Sequence, residues 1–219
     1  MAQLIFYDKS HEYTLNDELV PSVSEISRFA SREIYGQVAQ FALDNACNRG
    51  SAVHKATEVL DKYGDVECGN EIAPYVQAYV QFRKDYGIDE YVAIEKALAS
   101  EEKKFAGTID RIYRIDEKFA EKFLEQTKVD ISAFIGKLAI IDLKSSSAVQ
   151  KVLAKIQLNG YEILVVENGI GEVALLIILH LQKDGNYKLH NIERDRTLFE
   201  SCWNLHEALK KKPRKKKGE

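Results

Sequence analysis

Ile140-Ile141-Asp142-Leu143-Lys144-Ser145-Ser146 decides how this chain is read. The apolar run from Lys137 to Leu143 predicts a strand that ends in polar residues. Strand side chains two apart lie on one face, so Asp142 and Lys144 project together where the strand ends. A carboxylate and an ammonium side by side at that point suit a metal ion and a scissile phosphate. Taken alone, the Asp-x-Lys pattern reads equally well as a charged pair at a strand terminus.

Residues of related chemistry lie before and after it. Phe105-Ala106-Gly107-Thr108-Ile109-Asp110-Arg111-Ile112 sets a carboxylate among apolar strand neighbours. An isolated buried charge is expensive, so Asp110 needs a partner. A divalent cation is one, since two carboxylates, a strand carbonyl and water suit Mg²⁺ or Mn²⁺. A salt bridge to Arg111, or a place in a turn, is the competing reading. Upstream, Gly50-Ser51-Ala52-Val53-His54-Lys55-Ala56 places His54 on a helix, where a lone histidine is ordinarily structural or exposed. Glu58, one turn on, is placed either to accept a hydrogen bond from His54 or to pair along the helix surface. Downstream, Gln157 and Tyr161 are four apart and share a helix face. Without other context they read as a solvent-facing glutamine and a packed tyrosine. His11, His180, His190 and His206 have no convincing partners in the sequence, and Trp203 reads as core. Ser145-Ser146-Ser147 fit either a phosphate contact or a cap for a helix beginning at Ala148.

The rest of the chain supplies the frame. Leu4 to Tyr7 and Tyr13 to Leu15 predict a short hairpin, followed by a turn at Asn16-Asp17-Glu18. Ser22 with Glu25 three residues later has capping-box spacing and opens a helix through about Arg32. A long helix spans Gln37 to Lys62, with Gly50 weakening its middle by about 1 kcal/mol and allowing a break near 48–50. Glu71 to Tyr86 is a further helix closed by Gly87. Tyr91 to Leu98 and Phe105 to Ile115 are rich in β-branched and aromatic residues and predict strands. Glu117 to Phe134 has helical spacing, as does Ala148 to Glu167. Val173 to Gln182 and Tyr187 to Ile192 form a strand pair across Lys183-Asp184-Gly185-Asn186. Asp195 to Lys212 is the last helix. This order predicts an α/β fold with a mixed central sheet flanked by helices.

Composition sets outer bounds. The chain has 219 residues, enough to bury about 70% of its unfolded surface without a disulfide or structural metal. Cys47, Cys68 and Cys202 are odd in number, scattered and without CxxC spacing, which argues against a zinc ribbon, an iron–sulfur cluster or a disulfide framework. A reducing, cytoplasmic location is expected. Residues 1–30 lack the apolar core of a signal peptide, and the run Val173 to Leu179 is too short to span a bilayer, so no membrane association is expected. The net charge of −3 is uneven. Lys210, Lys211, Lys212, Arg214, Lys215, Lys216 and Lys217 oppose only Glu219 in residues 210–219, a balance of +6 that leaves −9 for the rest. Such a tail either contacts nucleic acid through its phosphates or is a solvated, disordered terminus.

Taken in order, these elements resemble the PD-(D/E)XK nuclease superfamily, in its RecB-like exonuclease branch. The resemblance runs from about Gly50 to Gln182 and rests on Gly50-x-x-x-His54, Glu95 in Ala93-Ile94-Glu95-Lys96, Gly107-Thr108-Ile109-Asp110, Asp142-Leu143-Lys144 and Gln157-x-x-x-Tyr161. Asp8, His11, Tyr13 and Pro21-Ser22-Val23-Ser24 also resemble phage-type members. The resemblance implies a restriction-endonuclease-like core forming a single domain over 1–209, with an N-terminal helical part. It implies Mg²⁺ or Mn²⁺ held by His54, Asp110, Asp142 and the Leu143 carbonyl. It further implies Lys144 assisting catalysis, Gln157 and Tyr161 positioning or bracing, and Glu95 as ligand or, by preference, as orienter. The activity implied is hydrolysis of DNA, most simply as an exonuclease in recombination, repair or phage DNA metabolism. A structure-specific endonuclease and a non-catalytic nucleic-acid-binding protein are the alternatives. Two departures stand out. The four cysteines that hold an iron–sulfur cluster in many relatives are missing, and the Asp110 to Asp142 interval is long. Residues 116–136 therefore read as an insertion beside the active site, one that either binds substrate or a protein partner or simply decorates a hairpin.

Overall fold

The computed structural model describes residues 3–7 and 10–210. It opens with a three-stranded antiparallel sheet, β1 (Leu4–Tyr7), β2 (Glu12–Leu15) and β3 (Glu18–Val20). The third strand replaces part of the expected turn. Asn16 and Asp17 take φ of 52° and 65°, the left-handed pair that a two-residue hairpin loop requires. Tyr13, Leu15 and Val20 are buried against Ala99 and Ala106.

Helix α1 (Val23–Ile26) begins as its capping residue dictates, with Ser22 Oγ accepting from the Glu25 N–H at 2.9 Å. The helix expected to run on to about Arg32 is instead interrupted at Ser27. A second helix, α2 (Arg28–Tyr35), follows and has no buried residue. α3 (Gln40–Tyr63) passes Gly50 without a break and ends at Gly64, whose φ is +81°. α4 (Ala73–Tyr86) ends at Gly87 in the left-handed conformation, φ +64°.

The main sheet has five strands in the order β4 (Ala93–Ser100), β5 (Phe105–Arg114), β6 (Leu138–Lys144), β7 (Val173–Leu181), β8 (Tyr187–Asn191). Only β6 and β7 are parallel. A parallel pair needs a crossover, and α6 (Lys151–Glu167) supplies it. α7 (Arg196–Lys210) follows β8, with Asp195 Oδ1 accepting from the Leu198 N–H at 3.0 Å.

Both faces of the sheet are covered. Leu138 and Ile140 of β6 join Val23, Leu164 and Phe199 in a core beneath α1, α6 and α7. Ala139, Ile141 and Leu143 join Val53, Phe82 and Phe119 in a second core beneath α3, α4 and a further helix, α5 (Glu117–Thr127). A strand buried on both faces carries a near-continuous apolar run, and β6 does so from Leu138 to Ile141 and again at Leu143. The architecture is thus α/β, with a mixed five-stranded sheet flanked by helices and a separate three-stranded sheet.

Residues 116–136 do not lie beside the Asp142–Lys144 strand end. α5 stops at Lys128, which is left-handed at φ +63°, well short of Phe134. Phe119, Phe123 and Ile131 are buried in the second core, and the Phe119 ring packs 4.7 Å from Tyr86 and 5.2 Å from Tyr113. Each such phenylalanine contributes about 1.5–3 kcal/mol of burial. The segment enters β6 at Leu138, the end opposite Lys144. Among the described residues, no helix is long and apolar enough to cross a membrane.

Candidate active site

The site is built where the ladder of the main sheet is interrupted. β4 and β5 pair at Ile94 with Arg111 and at Lys96 with Ile109, and the facing residues between them, Glu95 and Asp110, make no ladder pair. Glu95 sits at φ +47°, a left-handed conformation that costs a non-glycine residue about 1–3 kcal/mol and that clusters at functional sites. The β5–β6 ladder stops at Arg111 and Ile141. Beyond that point side chains replace the strand. Asp110 Oδ2 accepts the Leu143 N–H at 2.7 Å, and His54 Nε2, reaching in from α3, bonds the Leu143 carbonyl at 3.1 Å.

A carbonyl can only accept, so His54 Nε2 carries a hydrogen whether the ring is neutral or charged. Nδ1 then faces Asp110 Oδ1 at 3.4 Å and Glu95 Oε1 at 3.6 Å. One ligand atom from each of His54, Glu95 and Asp110 lies within 4.8 Å of the others, a donor set that suits a divalent cation. Asp142 is outside this group. Its Oδ2 lies 2.7 Å from Lys144 Nζ, yet neither of its buried oxygens accepts a well-aligned hydrogen bond. A buried carboxylate left this way has room for a ligand that the protein does not itself supply.

The electrostatics follow from these contacts. Burial opposes a charged His54, but the Asp110 and Glu95 carboxylates outweigh it and hold the ring up to about 10. Burial also opposes a charged Asp110, but His54, Lys144 and the Leu143 N–H together keep its carboxyl below the usual range. For Asp142 burial wins over Lys144, and its carboxyl is pushed up to about 6. Burial works against the Lys144 ammonium, which Asp142 and Asp110 nonetheless hold above its usual range. The lysine is therefore a cation at neutral pH.

Lys144 is also braced from α6. Nζ donates to Gln157 Oε1 at 3.0 Å, and Gln157 Nε2 donates to the Tyr161 hydroxyl at 2.8 Å. Gly107 admits the Tyr161 ring to β5, because a Cβ there would stand 2.8 Å from Cε1. The neighbouring Thr108 Oγ1 meets the Tyr13 hydroxyl at 2.8 Å, which ties the N-terminal sheet to the same motif. That sheet leads α1 and α2 over the strand end. Between them and the start of α6 lies a cleft of about 620 Å³, with Ser22, Arg28, Tyr35, Lys144 and Gln157 among its lining residues.

His54, Glu95, Asp110, Asp142, Leu143, Lys144, Gln157 and Tyr161 thus converge on one end of β6. Glu95 stands among the candidate ligands, facing His54 Nδ1 and Arg111 Nη1. Glu58 does not reach His54. It pairs with Lys55 at 2.9 Å and Lys62 at 2.5 Å along the helix surface. Nor does Arg111 pair with the Asp110 carboxylate. It binds Asp61 and Glu95. His180 does have a partner, donating from Nε2 to the Ser146 carbonyl at 2.7 Å. Ser145-Ser146-Ser147 do not cap α6, whose N-cap is Gln150. Trp203 packs partly buried on the first core, its indole N–H donating to the Lys103 carbonyl at 3.2 Å. Of the basic tail, Lys210 ends α7 and pairs with Glu207, while Lys211, Lys212, Arg214, Lys215, Lys216 and Lys217 lie outside the described residues. Sequence reasoning missed Arg28 and Tyr35 of the cleft, and Thr57, Asp61 and Tyr79 behind the site. Arg111, an arginine inside an apolar strand, was the one visible signal.

A scan against models of known protein families finds no match, and no curated protein matches the chain. Sixteen chains of solved structures do match. One of them, "Crystal structure of SSO0001", has a TM-score of 0.40 and 15% identity, and the match covers 88% of this chain and 77% of that one.

Proposed function

We propose that the chain is a metal-dependent nuclease of the RecB-like PD-(D/E)XK kind, with the five-stranded sheet as its restriction-endonuclease-like core. The observation that carries this reading is the convergence of Asp110 and His54 on the β6 end that presents Asp142 and Lys144. In this reading Asp110, Asp142, Glu95 and His54 Nδ1 hold Mg²⁺ or Mn²⁺, and the Leu143 carbonyl remains with His54 Nε2. When bound, the ion supplies an acidified water and neutralises charge on the phosphate. The chain's own residues do the rest. Lys144 enters as an ammonium, so it stabilises the charge that develops on the phosphate rather than removing a proton from water. Gln157, held by Tyr161, aims that ammonium. The cleft beside Lys144 admits the strand to be cut, and the cations from Lys210 to Lys217 hold DNA through its phosphates without reading sequence.

End-labelled linear DNA and closed-circular DNA, each with Mg²⁺ or Mn²⁺, test this reading. Cutting of linear DNA alone is expected. Cutting of closed circles converts the reading to an endonuclease, and no cutting of any nucleic acid overturns it in favour of a binding protein.

A further inference from the structure

Arg111 is fully buried and lies behind the site, with its guanidinium carbon 5.6 Å from the Tyr79 ring centre and 5.7 Å from that of Tyr91. Its three nitrogens reach five acceptors. Nε donates to Asp61 Oδ2 at 2.6 Å and to the Tyr79 hydroxyl at 3.1 Å. Nη1 donates to Glu95 Oε1 at 3.0 Å and to the Asp110 carbonyl at 2.7 Å. Nη2 donates to Thr57 Oγ1 at 3.1 Å, and that hydroxyl in turn donates to the His54 carbonyl at 3.0 Å.

These contacts fall on all three members of the His54, Glu95 and Asp110 group. One goes to a side chain, one to a backbone carbonyl, and one passes through a buried hydroxyl on the helix that carries the histidine. A planar fork can hold several acceptors at fixed angles, which a point-charge ammonium cannot. Asp61 neutralises the guanidinium from the far side and also pairs with Arg83 at 3.0 Å. The arginine therefore holds Glu95 by its Oε1, the oxygen that also faces His54 Nδ1.

We propose that Arg111 is the positioning residue of a metal centre formed by His54, Glu95 and Asp110, setting the place of all three at once through its fork and through Thr57. The inference rests on the reading of that group as a metal site. Partners that orient metal ligands typically change metal affinity by about 10–100-fold when removed.

The test is calorimetric titration of the whole chain with Mn²⁺ alone, together with unfolding in chelator and the nitrogen chemical shifts of the His54 ring. Thr57→Val keeps the side-chain shape and removes only the hydroxyl relay. It is expected to weaken Mn²⁺ binding by about tenfold and to shift the His54 resonances in the metal-free protein. Thr57→Ser, which keeps the hydroxyl, is expected to bind as wild type does. Arg111→Lys, where it folds, keeps the charge without the fork and is expected to lose about tenfold or more. A purely structural role would lower the unfolding midpoint and leave Mn²⁺ affinity unchanged. Wild-type affinity in Thr57→Val overturns the proposal alone, whereas a wild-type chain that binds no Mn²⁺ removes the metal reading and the proposal with it.

Discussion

Replacing Asp142 with asparagine is expected to stabilise the metal-free protein. The Asp142 carboxyl is 1% exposed, neither oxygen accepts a well-aligned hydrogen bond, and burial pushes its pKa from an ordinary 3.8 up to about 6. A carboxyl whose folded pKa is raised binds its proton more tightly in the folded state, so ionisation destabilises the fold as pH rises through that interval. At about 1.36 kcal/mol per unit, the gap between 3.8 and about 6 amounts to about 3 kcal/mol above pH 6. Asparagine mimics the neutral form and escapes this cost. Lys144 keeps Gln157 at 3.0 Å and some solvent, so it does not become an isolated buried charge. For a chain of this size the shift corresponds to a midpoint about 6–12 °C higher. The assay is thermal and urea unfolding in chelator at pH 7.5 and again near pH 4. The advantage of Asp142→Asn should shrink as pH falls, because both pKa values are then approached from above. Asp110→Asn should do the opposite at neutral pH. Asp110's carboxyl is held below its usual range by His54, Lys144 and the Leu143 N–H, and it contributes stability that is lost as pH falls through its folded pKa. An Asp142→Asn variant no more stable than wild type at pH 7.5, or an advantage that ignores pH, would refute the reasoning.

Three further outcomes are expected. Lys144→Ala and Asp142→Ala should each abolish cleavage of end-labelled DNA, but calorimetry should show weakened Mn²⁺ binding only for Asp142→Ala; wild-type turnover in either variant removes that residue from the site. Because His54 is held protonated up to about 10, a cation that takes Nδ1 must displace that proton. Mn²⁺ affinity should then rise with pH by up to about tenfold per unit below that value, and His54→Ala should flatten the dependence. Truncation after Leu209 in a Lys144→Ala background should reduce the slope of log DNA affinity against log salt by about two to three, if about three cations engage phosphates; identical slopes would make the tail a solvated terminus.

How far the sequence can be read depended on whether a signal was local. The main strands were legible because β6 is buried on both faces and is apolar from Leu138 to Ile141, and because Lys183 to Asn186 interrupts β7 and β8 with turn residues. Capping by Ser22 and the end of α4 at Gly87 rest on neighbours within a few residues, and both were visible. β3 was not visible, since three residues are too few to show a period. α5 begins at Glu117 as its spacing predicts, but charged and apolar residues with helical spacing do not reveal whether the apolar face joins the core. Phe119 and Phe123 do join it, against aromatic rings from α4 and β5. The site followed the same rule. Asp142 and Lys144 share a strand face by parity alone, and Gln157 and Tyr161 share a helix face by spacing alone. The Arg111 contacts join residues up to 54 positions apart, and an arginine in an apolar strand announces that it needs partners but not which ones.

Asp110 and Asp142 are the same residue type on adjacent strands, yet their surroundings drive them apart. Asp110 has the Leu143 N–H and His54 to satisfy it, and the fold is more stable for its charge. Asp142 has an ammonium that approaches without a well-aligned hydrogen bond, and the fold is less stable for its charge. A protein that only bound nucleic acid would gain little from a buried carboxylate of the second kind. That residue would be better neutral, and a basic surface would serve binding without it. In the proposed reading a cation would supply the neutralising partner that Asp142 lacks beyond Lys144, beside an Asp110 that the protein already satisfies in part. The mismatch between the two aspartates therefore marks Asp142 as the carboxylate at this strand end whose charge the protein leaves least compensated.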